Sequence, residues 1–135
     1  MIQLREYTPE DYPQLAQWWE GHGWSPVPEL ILPKLGIIAD MHAEESITPT
    51  AAAWLYMDNS SSVAMLKWMV SNPEANPRHV LRALKEILGF LKERAKELGY
   101  NVILATCRQD SLSKVLTKSG FEVTARDVIH HLALI

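Results

Sequence analysis

The stretch that decides the fold is Val70–Leu84, VSNPEANPRHVLRAL. A strand-like run, Val63–Val70, ends there. A turn rich in Pro and Asn follows, and a long amphipathic helix opens at Pro77. Asn76 is placed to cap that helix with its side-chain oxygen. Pro77 suits the first helical position, where its missing N–H would have had no partner. A strand feeding a capped helix leaves backbone N–H groups pointing outward at the positive end of the helix dipole. Such a place suits phosphate. The segment therefore points to a phosphorylated cofactor.

Working outward, the apolar residues Val80, Leu84, Ile87, Leu88, Leu91, Ala95 and Leu98 recur at three- and four-residue steps. They make one buried helix face, which Gly99 terminates. Upstream, Ala51–Met57 and Val63–Val70 read as strands joined by the turn Asp58–Ser61, an antiparallel hairpin. Ile2–Tyr7 reads as a short strand, and Thr8 and Pro9 open a helix to about Glu20. A short helix is expected over Pro28–Leu32, a strand over Leu35–Asp40 and a connecting loop over Met41–Thr50. Downstream come a strand at Asn101–Cys107, a short helix at Ser111–Lys118 and a final strand pair, Phe121–Ala125 and Val128–Leu134. The expectation is one domain over residues 1–135, of class α/β (α+β). Its mixed, mostly antiparallel sheet would have six to seven strands, flanked by about four helices.

Composition narrows the function. With 135 residues the chain is long enough for one domain with a real core. A formal net charge of −3 argues against general nucleic-acid binding. No apolar run approaches the ~18 residues of a membrane span, and the N-terminus lacks a signal-peptide layout. The single cysteine, Cys107, excludes an intrachain disulfide and a cysteine-based zinc site, so no metal is expected. A reducing cytoplasm fits best.

The order of elements resembles the GNAT fold of acetyl-CoA-dependent N-acetyltransferases. Three stretches carry the resemblance: Leu4–Asp11, Val70–Leu84 and Lys118-Ser119-Gly120-Phe121. The pairing of Trp18-Trp19 with Gly21-His22-Gly23-Trp24 is similar to GNAT-like proteins of phages and prophages. The resemblance implies acetyl-CoA as cofactor. It implies that main-chain groups of Met69, Val70 and Ser71 bind the pantetheine arm, with the Val70 amide polarising the thioester carbonyl. The cofactor loop would fall on Asn76, Pro77, Arg78, His79, Val80 and Leu81. Asn76 stands where the family has Gln or Arg, and His79 and Leu81 replace two small residues. Those small residues let the backbone approach the diphosphate. Arg78 and Arg82 can offset that loss with charge-assisted bonds, or they are simply the solvated start of a surface helix. The family's turn Asn maps near Gln109.

The family tyrosine that protonates the thiolate maps to Leu116, which has no hydroxyl. Ser113, one turn earlier, is the candidate in its place, or else an ordinary helix-surface serine. A general base near neutral pH would be His22 or one of His130 and His131, with His131 favoured of the pair and Glu20 as a carboxylate alternative. Each of these histidines has a structural reading too, as a hydrogen-bonded loop or strand residue. Trp24 offers a flat apolar wall for substrate or serves as a loop anchor. The sequence thus favours an acyl-CoA-dependent N-acyltransferase that acetylates a primary amine by direct attack. The acceptor would be a small molecule or a protein. The alternative is a catalytically degenerate GNAT-like module for binding or assembly. The final strand pair could extend a sheet between subunits, which leaves a homodimer open. A dinucleotide-binding unit is excluded, since no Gly-rich turn follows the first strand.

Overall fold

Strands with almost unbroken apolar runs must be covered on both faces, and here helices cover them. The computed structural model describes residues 1–107 and 110–135, Asp110 by its backbone alone. Five strands form one sheet: β1 (Ile2–Glu6), β2 (Leu35–His42), β3 (Ile47–Met57), β4 (Val63–Ser71) and β5 (Val102–Ala105), in that spatial order. β1 to β4 pair antiparallel, whereas β5 runs parallel to β4. A parallel neighbour requires a crossover, and α2 (Pro77–Glu97) supplies it.

β3 shows how two faces become two cores. Ala51, Ala53 and Leu55 point to one face, against Ala83, Leu84, Ile87, Leu88 and Leu91 of α2 and Leu112, Val115 and Leu116 of α3 (Asp110–Lys118). Ala52 and Trp54 point to the other face, against Leu15, Trp18 and Trp19 of α1 (Tyr12–Gly21). The alternation is the period of two that a strand imposes. Trp54 is fully buried, stacked on Trp19 at 5.9 Å and met edge-on by Tyr7 at 5.4 Å. Gly36 pairs with Trp54 across β2 and β3, and a Cβ on Gly36 would collide with the indole nitrogen.

Arg5 ties β1 to the start of the first helix. Its guanidinium donates to buried Asp40 at 2.7 Å and to both carboxylate oxygens of Asp11 at 3.0 and 2.9 Å. Burial alone would raise the Asp11 carboxyl. The bonds from Arg5 and Thr8 and the charge of Arg5 outweigh it and hold the carboxyl below its usual range.

Several sequence expectations are corrected. The loop expected over Met41–Thr50 is mostly strand. β2 continues to His42 and β3 starts at Ile47, and a hydrogen bond from the Ala43 amide to the Ser46 carbonyl at 2.9 Å closes the hairpin. Pro49 sits opposite Asp40, where the register shifts, and a bulge tolerates its missing donor. The first helix begins as a 3-10 turn, Pro9–Asp11, and the expected helix at Pro28–Leu32 is a 3-10 turn over Glu29–Ile31. The final strand pair is absent: neither Phe121–Ala125 nor Val128–Leu134 forms a strand. The described sheet therefore has five strands rather than six to seven, with three α-helices and two short 3-10 turns. Strand propensity is realised only where a face packs. Phe121 reaches the core, but Val128, Ile129, Leu132 and Leu134 are exposed. Among the described residues no helix is long and apolar enough to cross a membrane.

Candidate functional site

The site is built where two parallel strands part. β5 ends at Ala105, opposite Leu66, while β4 continues to Ser71. Among the described residues, Lys67–Ser71 has no strand partner on the β5 side. In that stretch the register with β3 also shifts. Ala52 pairs with Val70 and Trp54 with Lys67, so Trp68 and Met69 together face Ala53. This is a β-bulge, and Trp68 absorbs it with φ at 60°. A left-handed conformation costs a non-glycine residue about 1–2 kcal/mol, held here by the packing around it.

Ladder phase decides which main-chain groups face the opening. The Asn72 amide donates to the Thr50 carbonyl at 2.8 Å, which makes that pair hydrogen-bonded. Antiparallel pairs alternate, so Val70 exchanges its bonds with Ala52 and Ser71 turns its N–H and C=O away from β3. The outward amide expected at Val70 therefore belongs to Ser71. Side chains follow the same alternation. Met69 is buried on the α2 face and Val70 on the α1 face.

His22 meets that outward edge. Its Nε2 lies 2.9 Å from the Ser71 carbonyl oxygen and 3.4 Å from the Ser71 hydroxyl. A carbonyl only accepts, so Nε2 carries a proton, and in the neutral ring the lone pair lies on Nδ1. Among the described residues Nδ1 has no hydrogen-bond partner. The ring stacks on Trp24 at 4.9 Å and 25°. Local structure places it: the His22 amide bonds the Trp18 and Trp19 carbonyls, and Gly23 turns the chain at φ 81°. Gly21 packs so closely on Pro73 that a Cβ would stand 2.6 Å from the ring carbon. The end of α1 is thereby pressed against the loop after β4.

The loop from Asn72 to Pro77 closes largely on itself. Asn72 accepts from the Glu74 amide through its side chain at 3.0 Å and from the Ala75 amide through its carbonyl at 3.1 Å. Asn76 caps α2 as expected, accepting from the Arg78 amide at 2.9 Å, and its carbonyl takes the Val80 amide at 3.0 Å. Among the described residues of this segment, the amides of Asn76 and His79 have no partner. Arg78 and Arg82 are exposed, His79 and Val80 are half-buried, and Leu81 is 37% exposed.

Other expected site residues lie apart. Ser113 is half-buried on α3, and its carbonyl accepts from the Thr117 hydroxyl at 3.0 Å. It lines a cleft of about 410 Å³ with Lys114, Thr117, Lys118, Val123 and Arg126, which contains no residue of β4. Leu116 is buried in the core. His130 and His131 lie in the exposed tail, and Glu20 is exposed on α1. Gln109 lies outside the described residues. Sequence reasoning missed the strained Trp68 and the grip of Ser71 on His22. Forty-nine residues separate the latter pair, and no local pattern announces it.

No family model matches the sequence, and no curated protein matches it. Solved structures do match. A probable acetyltransferase is 19% identical, with a TM-score of 0.68 and 98% of each chain covered. Glucosamine-6-phosphate N-acetyltransferase from Arabidopsis thaliana is 8% identical, with a TM-score of 0.64, over 98% of this chain and 99% of that one. N-acetylglutamate synthase from Neisseria gonorrhoeae, complexed with coenzyme A and N-acetyl-glutamate, is 14% identical with a TM-score of 0.67. That match covers 96% of this chain and 30% of the synthase. The fold is that of the GNAT acetyltransferases.

Proposed function

We propose that this chain is an acyl-CoA-dependent N-acyltransferase that moves an acetyl group from acetyl-CoA to a primary amine by direct attack. The observation that carries this reading is the outward edge of Ser71, with His22 held on its carbonyl, at the mouth between β4 and β5. The opening is flanked by main-chain donors, and the exposed cations Arg78 and Arg82 stand on the first turns of α2. These groups fit an extended thioester arm ending in a diphosphate. Met69, Val70 and Ser71 would line the arm. The amides of Asn76 and His79, with Arg78, Val80, Leu81 and Arg82, would hold the phosphates, and the family resemblance alone adds Gln109 as a cofactor contact.

Acetyl-CoA supplies an activated acyl carbonyl and a good leaving thiolate. The Ser71 amide is the donor for the charge that develops on the acyl oxygen. As the amine nitrogen bonds to the acyl carbon and the carbon–sulfur bond breaks, Nδ1 of His22 takes the ammonium proton. Trp24, stacked on that ring, and exposed Glu20 border the acceptor, a small-molecule or protein amine. Ser113 is the remaining hydroxyl candidate for returning a proton to the thiolate, and His131 the alternative base. The single cysteine supports a reducing, cytoplasmic setting. The Trp18-Trp19 and Gly21–Trp24 pattern supports kinship with phage-type members of the fold.

A second reading is a degenerate GNAT-like module for binding or assembly. The self-closed Asn72–Asn76 turn and buried Leu116 at the family tyrosine's place favour it. Calorimetric titration with acetyl-CoA separates the two. The enzyme reading expects saturable binding at micromolar ligand, weakened by Arg78→Glu, and thiol release with an amine panel. No heat at millimolar acetyl-CoA supports the module instead.

A further inference from the structure

α3 ends in a Schellman turn. The Phe121 amide donates to the Leu116 carbonyl at 3.0 Å and the Gly120 amide to the Thr117 carbonyl at 3.2 Å, with Gly120 at φ 95°. Lys92 pins this corner from α2. Its ammonium donates to the Ser119 carbonyl at 2.8 Å and lies 5.7 Å from the centre of the Phe121 ring. Phe121 in turn packs on the core. The chain is thereby turned back on its own helix. Val123 and Arg126 come to line one cleft of about 410 Å³ with Ser113, Lys114, Thr117 and Lys118.

The charges of that cleft have one sign. Lys114, Lys118 and Arg126 line it, and among the described residues no carboxylate does. These three cations take part in none of the ion pairs among the described residues. The chain carries a formal net charge of −3, so the cleft reverses the sign of the whole molecule. A concave place lined by one sign focuses the field and concentrates counter-ions. Its size falls within the roughly 300–1,000 Å³ of small-ligand sites. Neither β4 nor α2 contributes to it, and the proposed acyl transfer uses none of its three cations.

We propose that this cleft is a second site, for a small molecule bearing a diphosphate. Lys114 and Lys118 supply compact charges one helical turn apart, and Arg126 supplies a planar fork that matches two phosphate oxygens. Ser113 adds a hydroxyl donor. Three cations balance the charge of a diphosphate near neutral pH. The site does not depend on acetyl-CoA binding at β4.

Inorganic pyrophosphate is the probe, followed by nitrogen–proton correlation NMR of the full chain at fixed ionic strength. The expected result is saturable shifts of amides within residues 113–118 and 123–126, the same with saturating acetyl-CoA as without it. Lys114→Glu and Arg126→Gln should each weaken binding by about tenfold or more. Both side chains are exposed, so the rest of the spectrum should be preserved. Arg78→Glu should leave this binding unaltered. A second arm with adenosine diphosphate separates two bearers of the same chemistry. Tighter binding than pyrophosphate at these amides supports a nucleotide, and equal or weaker binding supports the free anion. Absence of saturable shifts overturns the proposal, as do shifts confined to residues 76–82 or matched by chloride at the same ionic strength. Displacement of pyrophosphate by acetyl-CoA, or binding that survives both substitutions, overturns it too.

Discussion

His22 Nε2 donates to the carbonyl of Ser71 at 2.9 Å and so joins the end of α1 to the last residue of β4. This bond does two things at once. It fixes the imidazole tautomer, and it fixes the direction in which the lone pair of Nδ1 points. Stacking on Trp24 holds the ring plane. A base that must be poised before substrate arrives needs both constraints.

Removing the imidazole should therefore affect chemistry more than cofactor affinity. His22→Gln keeps a donor for the Ser71 carbonyl and loses the proposed base. The expected outcome is a kcat/KM lower by about 10²–10⁴ with the rising limb of the pH–rate profile lost. Acetyl-CoA affinity measured by calorimetry should be unchanged. A variant that keeps the parental pH profile would exclude His22 as base.

The bulge at Trp68 offers a test that needs no activity. Both Trp68→Ala and Trp68→Gly remove the same half-buried indole. At an ordinary strand position alanine is the more stable by about 0.5–1 kcal/mol. At φ 60° the order should invert, with glycine more stable than alanine by about 1 kcal/mol. Urea unfolding of the two variants reads the difference directly. Equal or alanine-favoured stabilities would place Trp68 in ordinary extended backbone.

Much of this molecule is legible in its sequence because local physics dictates it. The α2 stripe, its Asn76 cap and its proline start are local facts and appear as read from Val80 to Ala95, whereas Leu98, read as the last member of the stripe, caps the helix and is exposed. The hairpin of β3 and β4 is likewise announced by its turn. What misleads is propensity without a packing partner. Val128–Leu134 has the residues of a strand and no face to bury, whereas Thr48–Thr50 looks like a loop and is strand because β2 lies beside it. Around the candidate site, the Asn76 cap and the run of β4 were legible from spacing. The identity of the outward amide was not. It depends on ladder phase and on a bulge that only the paired structure defines.

Gly36 is where the indole of Trp54 is accommodated. The two residues face each other across β2 and β3, and any Cβ at Gly36 would overlap the Trp54 nitrogen. Trp54 has no room to retreat, since Trp19 stacks on it and Tyr7 meets its edge. Gly36→Ala should cost about 1–3 kcal/mol in chemical unfolding through overpacking. Combining it with Trp54→Leu should give a loss smaller than the sum of the two single losses. Strict additivity in that cycle would mean that the two side chains do not compete for one space.

The Arg5–Asp11 pair should give stability a specific acid dependence. Asp11 in the folded chain holds its proton less tightly than an ordinary aspartate, because Arg5 and Thr8 stabilise the charged form against burial. A carboxyl lowered by folding contributes stability that is fully present above the unfolded value, about pH 4, and is lost as the pH falls through the lowered folded value. Around pH 7 it contributes no slope. Asp11→Asn should then lower unfolding free energy at neutral pH by roughly 1–2 kcal/mol, since Arg5 is partly exposed and keeps Asp40. The gap between parent and variant should narrow as the pH drops below about 4, where the parent's Asp11 also becomes neutral. Urea titrations from pH 7 to pH 2.5 would show this convergence. Parallel curves across that range would mean that the Arg5 contact carries no charge-dependent stability.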